Sequence, residues 1–255
     1  MVVSRASVED LLEPLRSQPK KAGVLLDFDG TLARIVDDPA NARPIDDMAG
    51  VLSKLARRYK RVAVLSGRAV SFLEGMLPPT VLLSGLYGLE VSHKGRRLDH
   101  PLSGAWREAI ADVAAITRAN GPAGMRVEDK GLSLTLHYRE HPELADAVMA
   151  WAQRQATRSG LVCRPARMSC ELHPPIRADK GTAVTELAEG LSSVLYAGDD
   201  LGDLPAFDAL DQLAAAGCAV VRVAVASPEA PTDLVHRADI VVDDPDDALD
   251  LLRRL

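Results

Sequence analysis

Apolar residues along the chain collect into short runs, several of which stop abruptly in polar, glycine-containing turns. Val24-Leu25-Leu26 runs into Asp27-Phe28-Asp29-Gly30-Thr31, Val62 to Leu65 into Ser66-Gly67-Arg68, and Ser193 to Ala197 into Gly198-Asp199-Asp200. Ala219 to Val225 and Ala238 to Val242 are further β-branched segments. Unbroken apolar runs of this length suit strands covered on both faces, as in a parallel sheet. Between them, Ile45, Met48, Leu52 and Leu55 recur at three- or four-residue spacing within 44–59, and 180–191 and 245–255 follow the same pattern. These stretches predict helices. Strands alternating with helices predict right-handed crossovers and a doubly wound parallel-sheet α/β core.

The pattern changes in the middle of the chain. A helix over about 103–119 is followed by extended segments at 125–128 and 132–138, joined by Asp129-Lys130-Gly131. A second helix over about 142–158 precedes extended segments at 161–164 and 168–172. The turn residues and the alternating Leu132, Leu134 and Leu136 predict a hairpin in an antiparallel sheet with one solvated face. The expected organisation is a core of 1–99 and 176–255 interrupted by a smaller α+β cap over 100–175. The first twenty residues fit either a helix packed on the core or a loose extension.

Composition narrows the function classes. With 255 residues, 47% hydrophobic and 26% charged, the chain has the make-up of a soluble globular protein. Its net charge of -6 argues against a broad nucleic-acid-binding face but permits a local basic pocket for a small anion. No apolar run approaches the ~20 residues needed to cross a bilayer. The N-terminal stretch carries Glu9, Asp10 and Glu13 and lacks the apolar core of a signal peptide. The expectation is a cytoplasmic protein with neither a membrane nor a nucleic-acid partner. Cys163, Cys170 and Cys218 have no metal-ligand spacing and read as three small core residues in a reducing compartment.

In an open parallel sheet, ligands bind beyond the carboxyl ends of the strands. Three predicted strands end there in polar clusters: Asp27 with Asp29, Ser66 with Arg68, and Asp199 with Asp200. Crowded carboxylates repel one another, and a divalent cation relieves that repulsion; an all-oxygen donor set selects Mg²⁺ or a similar hard ion. Asp37 and Asp38, by contrast, read as turn residues. At the first strand, Asp27 is placed to attack phosphorus as a carboxylate nucleophile. Asp29, two residues on, can protonate a departing alkoxide and then deprotonate water. Gly30 and Thr31 open a loop whose backbone N–H groups can face phosphate oxygens, and Ser66 with Gly67 can hold another. Lys180, near a helix start, would neutralise charge on the transferring group. Asp199 would ligate the metal alongside Asp27 and Asp29, with Asp200 and Asp203 ligating it or orienting its waters.

These residues, in this order, resemble the haloacid dehalogenase superfamily of phosphohydrolases. Asp27-Phe28-Asp29-Gly30-Thr31-Leu32 looks like its first motif, and Ser66, Lys180 and Gly198-Asp199-Asp200 with Asp203 fit the other three. Within the superfamily the chain is most similar to the trehalose-6-phosphate phosphatase family. The stretches that carry the likeness are Leu65 to Arg68, Gly85 to Glu90, Val127 to Ser133, Leu136 to Arg139 and Gly198 to Asp203. The resemblance implies a Rossmann-like core, a cap that closes over a disaccharide, Mg²⁺ dependence and an aspartyl-phosphate intermediate. It also implies that Glu128, Lys130 and Glu171 hydrogen-bond sugar hydroxyls and that Arg68 lies near the mouth of the site. Tyr87 stands where the family usually has His, and His173 where Arg commonly follows the cap glutamate.

Three other functions use the same residues. One is a phosphatase for another sugar phosphate, such as sucrose phosphate or mannosyl phosphoglycerate. A second is a mutase that returns the phosphate to the sugar. The third is a non-catalytic sugar-phosphate-binding domain, which the joint presence of Asp27, Asp29, Lys180 and Asp199 disfavours.

Overall fold

The computed structural model describes residues 7–36, 38–166, 168–226 and 230–255. Asp37, one of the predicted turn residues, lies outside them. In chain order the elements are α1 (Val8–Ser17), β1 (Ala22–Asp27), α2 (Met48–Arg58), β2 (Arg61–Leu65), α3 (Val70–Glu74), β3 (Leu82–Gly85), β4 (Glu90–His93) and β5 (Arg96–Asp99). Then come α4 (Arg107–Asn120), β6 (Arg126–Asp129), β7 (Leu134–His137), α5 (Ala145–Ser159), β8 (Val162–Ala166) and β9 (Ser169–His173). The chain ends with α6 (Lys180–Leu187), β10 (Ser193–Gly198), α7 (Leu204–Ala215), β11 (Ala219–Val225), α8 (Thr232–Arg237), β12 (Ile240–Val242) and α9 (Pro245–Arg253). Two compact units result, one of 1–98 with 178–255 and the other of 99–177.

The first unit is built on an eight-stranded sheet of order β12-β11-β10-β1-β2-β3-β4-β5. Strands β12 through β3 are parallel, and β4 runs antiparallel to β3. Alternate residues of each central strand serve different cores, because successive side chains leave a strand on opposite faces. Val24, Leu26, Val62, Val64, Leu195 and Ala197 join the core that contains residues of α1, α2 and α9. Leu25, Ala63, Leu65, Val194 and Tyr196 join the core that contains residues of α6, α7 and α8. Full burial of such an aliphatic side chain contributes about 1.5–3 kcal/mol. The doubly wound parallel sheet is thus present, and α1 is a packed helix, with Leu12 and Leu15 fully buried. Asp38 caps a 3₁₀ turn by accepting from the Ala40 N–H at 3.1 Å, the local role expected of it.

The second unit is a four-stranded antiparallel sheet, order β6-β7-β9-β8, whose apolar face packs on α4 and α5. Leu134, Leu136, Cys170 and Leu172 form the sheet's share of that core. The β6–β7 connection is the predicted hairpin: Asp129 accepts from the Gly131 N–H at 3.0 Å, and Gly131 takes φ +79°. Cys163 on β8 and Cys170 on β9 form a disulfide, which corrects the expectation of three unpaired thiols. Their seven-residue separation reveals the pairing only once β8 and β9 are known to be neighbours. Cys218 is a free, half-buried thiol.

Candidate active site

Strands β10, β1 and β2 are adjacent, so the chain-distant clusters at their carboxyl ends share one rim of the sheet. Asp27 is the last residue of β1, Ser66 follows β2, and Asp199 follows β10. Carboxylate oxygens of Asp27, Asp199 and Asp203 lie within 4.8 Å of one another, and all three residues are buried. Lys180 enters this cluster from the first turn of α6. That turn is fixed by Asp179, which accepts from the Thr182 N–H at 2.7 Å while the Thr182 hydroxyl receives the Asp179 N–H at 3.0 Å. The Lys180 ammonium is 2.7 Å from Asp27, 2.6 Å from Asp203 and 3.9 Å from Asp200.

Both oxygens of Asp203 are engaged. One oxygen accepts from Lys180 and from the Tyr196 hydroxyl, each at 2.6 Å; the other accepts from the backbone N–H groups of Asp199 (2.9 Å) and Asp200 (3.0 Å). Burial opposes its ionisation, but the Lys180 charge and these hydrogen bonds outweigh burial and hold its pKa below the ordinary value. Through these contacts Asp203 folds back and ties down the Asp199–Asp200 backbone. Asp203 thus anchors the Lys180 ammonium and the Asp199–Asp200 backbone, while its carboxylate also belongs to the group of three that could hold a cation. Asp200 is exposed and accepts from the Gly202 N–H at 2.8 Å.

Asp27 and Asp199 have the opposite electrostatic character. Burial raises the pKa of Asp27 well above its usual value; Lys180 opposes that shift, and the neighbouring carboxylates add to it. Burial, then Asp203 and Asp200, push Asp199 up to about 8. A buried site where two carboxylates resist ionisation fits a hard cation, whose charge reverses that balance. The Lys180 pKa is raised well above normal despite its burial, because Asp203 and Asp27 hold the ammonium charged.

The loop after β1 lies close against this cluster. Gly30 has φ +81°, and a Cβ there would come within 2.0 Å of the Asp199 carboxylate, so only glycine fits. The Thr31 hydroxyl is 3.4 Å from Asp199 Oδ1. The Gly30 N–H, expected to face phosphate, instead donates to the Ala33 carbonyl at 2.8 Å. The Ser66 N–H is likewise engaged, by the Ser84 carbonyl at 2.9 Å, and the Ser66 hydroxyl accepts from the Arg68 N–H at 3.1 Å. Gly67 leaves room for the Tyr87 ring, whose hydroxyl would sit 2.6 Å from a Cβ at 67. Tyr87, at φ +60°, donates its backbone N–H to the Ser66 carbonyl at 3.0 Å.

The Asp29 carboxylate is not brought into the carboxylate group, contrary to its expected place as a metal ligand. Both its oxygens accept from Arg68, at 2.8 and 2.7 Å. Arg68 also donates to the Pro39 carbonyl at 2.8 Å, and its guanidinium lies 4.6 Å from the Phe72 ring centroid. A two-pronged arginine–carboxylate contact is strongly directional, which explains the outward turn of Asp29. Tyr196 is the residue here that sequence reasoning missed. A tyrosine inside the apolar run of β10 was the available signal, since a buried phenol needs a partner.

In the second unit, the Glu171 carboxylate is buried, accepts from the Ser133 hydroxyl at 2.7 Å and lies 3.5 Å from the Lys130 ammonium. Glu128, across the sheet on β6, pairs with His137 Nε2 at 2.8 Å.

An open parallel sheet with these four strand-end and helix-start motifs has the fold of the haloacid dehalogenase-like hydrolases. The trehalose-phosphatase family model matches residues 25–239, and the chain belongs to that family. It is 32% identical over 222 residues to a trehalose-phosphate phosphatase of Mycobacterium leprae, an alignment covering 79% of this chain and 51% of that protein. It is 33% identical over 205 residues to an uncharacterized glycosyl hydrolase of Mycobacterium tuberculosis, covering 75% of this chain and 15% of that one. The chain thus spans about half the length, or less, of these two relatives. The solved C-terminal domain of a Candida albicans trehalose-6-phosphate phosphatase superposes with a TM-score of 0.75 at 25% identity, covering 97% of this chain and 95% of that chain. No helix among the described residues is long and apolar enough to cross a membrane.

Proposed function

We propose that this chain hydrolyses trehalose 6-phosphate to trehalose and inorganic phosphate, with Mg²⁺ as cofactor and Asp27 as nucleophile. The observation that carries this reading is the buried Asp27 carboxylate at the end of β1, held 2.7 Å from the Lys180 ammonium. Asp27 and Asp199 are the residues that would hold the cation; when bound, it offsets their mutual repulsion and draws charge from phosphoryl oxygens. Asp200, exposed and held by the Gly202 N–H, is placed to orient water at the cation, and Asp203 keeps Lys180 and the Asp199 backbone in place.

A carboxylate oxygen of Asp27 attacks phosphorus, the new O–P bond forming as the P–O bond to the sugar breaks. Asp29 supplies the proton that the departing sugar oxygen needs. A neutral carboxyl accepts at only one oxygen in the plane of its guanidinium partner, so the two-pronged grip of Arg68 loosens to one contact when Asp29 carries that proton. Asp29 then takes a proton from water, whose oxygen attacks the phosphoryl group and returns Asp27 to a carboxylate. Ser66 and the loop residues Gly30, Thr31 and Gly67 surround the phosphate, Lys180 neutralises its developing charge, and Arg68 engages the substrate near the phosphate. Glu128, Lys130 and Glu171, in the inserted unit over 100–175, read the sugar hydroxyls.

Acid quenching during turnover, followed by peptide mass analysis, tests the covalent step. The phosphoryl group is expected on Asp27. Full-rate turnover by an Asp27→Asn protein contradicts the assignment.

A further inference from the structure

Among the described residues, two buried side-chain polar atoms have no hydrogen-bond partner: Thr135 Oγ1 and His173 Nε2. Unpartnered buried groups are rare because each costs about 1–3 kcal/mol, so a pair of them calls for a cause. Both belong to the same small sheet, and both flank Glu171. Thr135 on β7 is directly paired with Glu171 on β9, and His173 is two residues beyond Glu171 on the same strand. With a two-residue side-chain period, all three project from one face, opposite to Leu134, Leu136, Cys170 and Leu172. Side chains paired directly across an antiparallel ladder have Cβ atoms ~4.5–5.5 Å apart. The unsatisfied groups are thus neighbours of a buried carboxylate that already accepts from Ser133.

The chemistry of the two atoms defines what would satisfy them. His173 Nδ1 is 2.7 Å from the Pro174 carbonyl, an acceptor, so Nδ1 carries the proton and Nε2 is left as an acceptor. Burial, with Arg164 nearby, lowers the His173 pKa and keeps the ring in this neutral form. An acceptor-only group such as a phosphate or carboxylate cannot satisfy Nε2. The Thr135 hydroxyl takes either role. Nε2 requires a ligand group that donates, and a hydroxyl donates there while a neighbouring hydroxyl meets Thr135 in either role.

We infer that Thr135 and His173 are specificity residues that, with Glu171, form a hydroxyl-binding face for the sugar portion of the substrate. This inference rests on the proposed sugar-phosphate phosphatase activity and adds residues that neither the motifs nor the comparisons assign. Because the face serves hydroxyls and not phosphate, its loss should lower turnover of sugar esters and leave turnover of a hydroxyl-free ester intact.

The test compares kcat/KM for trehalose 6-phosphate, sucrose 6-phosphate, glucose 6-phosphate and p-nitrophenyl phosphate in the wild type, Thr135→Val, Thr135→Ser and His173→Phe. Thermal midpoints serve as the folding control. Thr135→Val matches the shape of threonine without its hydroxyl, and is expected to cut kcat/KM for the preferred sugar ester roughly 3- to 10-fold while the aryl ester is unchanged. Thr135→Ser restores the hydroxyl and the rate. His173→Phe shows the same selective loss. A wild type that prefers a sugar ester other than trehalose 6-phosphate removes the trehalose assignment, and the same selective loss on that ester still supports the face. An undiminished sugar preference in both Thr135→Val and His173→Phe overturns the inference, as does a wild type with no preference for sugar esters over the aryl ester.

Discussion

Each of the two units sets a lysine against a buried carboxylate, Lys180 itself buried and Lys130 half-buried, yet the polar groups around the two carboxylates differ. In the first unit, Lys180 bridges Asp27 and Asp203 at 2.7 and 2.6 Å, and both oxygens of Asp203 are engaged. In the second, Lys130 stands 3.5 Å from Glu171, and two polar atoms beside Glu171 have no partner. The first arrangement is rigid and dominated by formal charge; it suits a reaction in which charge moves between phosphorus and oxygen. The second offers neutral donors and acceptors on a sheet face, which suits discrimination among uncharged hydroxyl patterns. Chemistry and selectivity are thereby assigned to groups with different physics, and that assignment can be broken piece by piece.

The largest effect is expected at Asp27. Asp27→Asn should reduce phosphate release by at least about three orders of magnitude on every ester, sugar or aryl, in steady-state assays. Asp203→Asn comes next and appears in stability as well as rate. It strips a buried ammonium of one of its two close carboxylates, and breaking a buried pair costs about 3–5 kcal/mol, readable by denaturant unfolding. Asp203→Asn unfolding at the wild-type midpoint would remove its role as an anchor. Mg²⁺ at a hundredfold excess over its dissociation constant should stabilise the wild type by about 2.7 kcal/mol, and an Asp199→Asn variant much less. Equal stabilisation of both would move the cation elsewhere.

The second unit gives smaller and more selective effects. Lys130→Ala or Glu128→Gln should lower kcat/KM about 10- to 100-fold on the sugar ester, or about 1.4–2.7 kcal/mol, and leave the aryl ester within twofold. Equal losses on both esters would erase the contrast between the units. The smallest change expected is at Tyr196→Phe, which removes one of four donors to Asp203 and should cost about 1 kcal/mol of stability with a modest loss of kcat.

The parts of this architecture legible in the sequence were those written in local pattern. β1, β2 and β10 are short apolar runs, and their ends at Asp27, Ser66 and Asp199 converge because parallel strands share a carboxyl edge. β3 was not legible because its four residues end in Ser84-Gly85, and β5 because Arg96–Asp99 is exposed throughout and shows no alternation. Side-chain geometry was the least accessible layer. The grip of Arg68 on Asp29 joins residues 39 positions apart, and the Cys163–Cys170 bridge depends on which strands are neighbours. Asp203, expected to ligate the cation or orient its waters, lies in the carboxylate group, and a turn folds its carboxylate back onto two backbone N–H groups. The N–H group of Gly30, assigned to phosphate from sequence, is used instead by the carbonyl of Ala33.

The most direct test of the central claim is phosphate release by the purified protein across a panel of sugar phosphates and aryl phosphates, with Mg²⁺ and with chelator. The account predicts Mg²⁺-dependent release with a strong preference for trehalose 6-phosphate, lost in Asp27→Asn. Absence of release from every ester, or release undiminished by chelator, would contradict it.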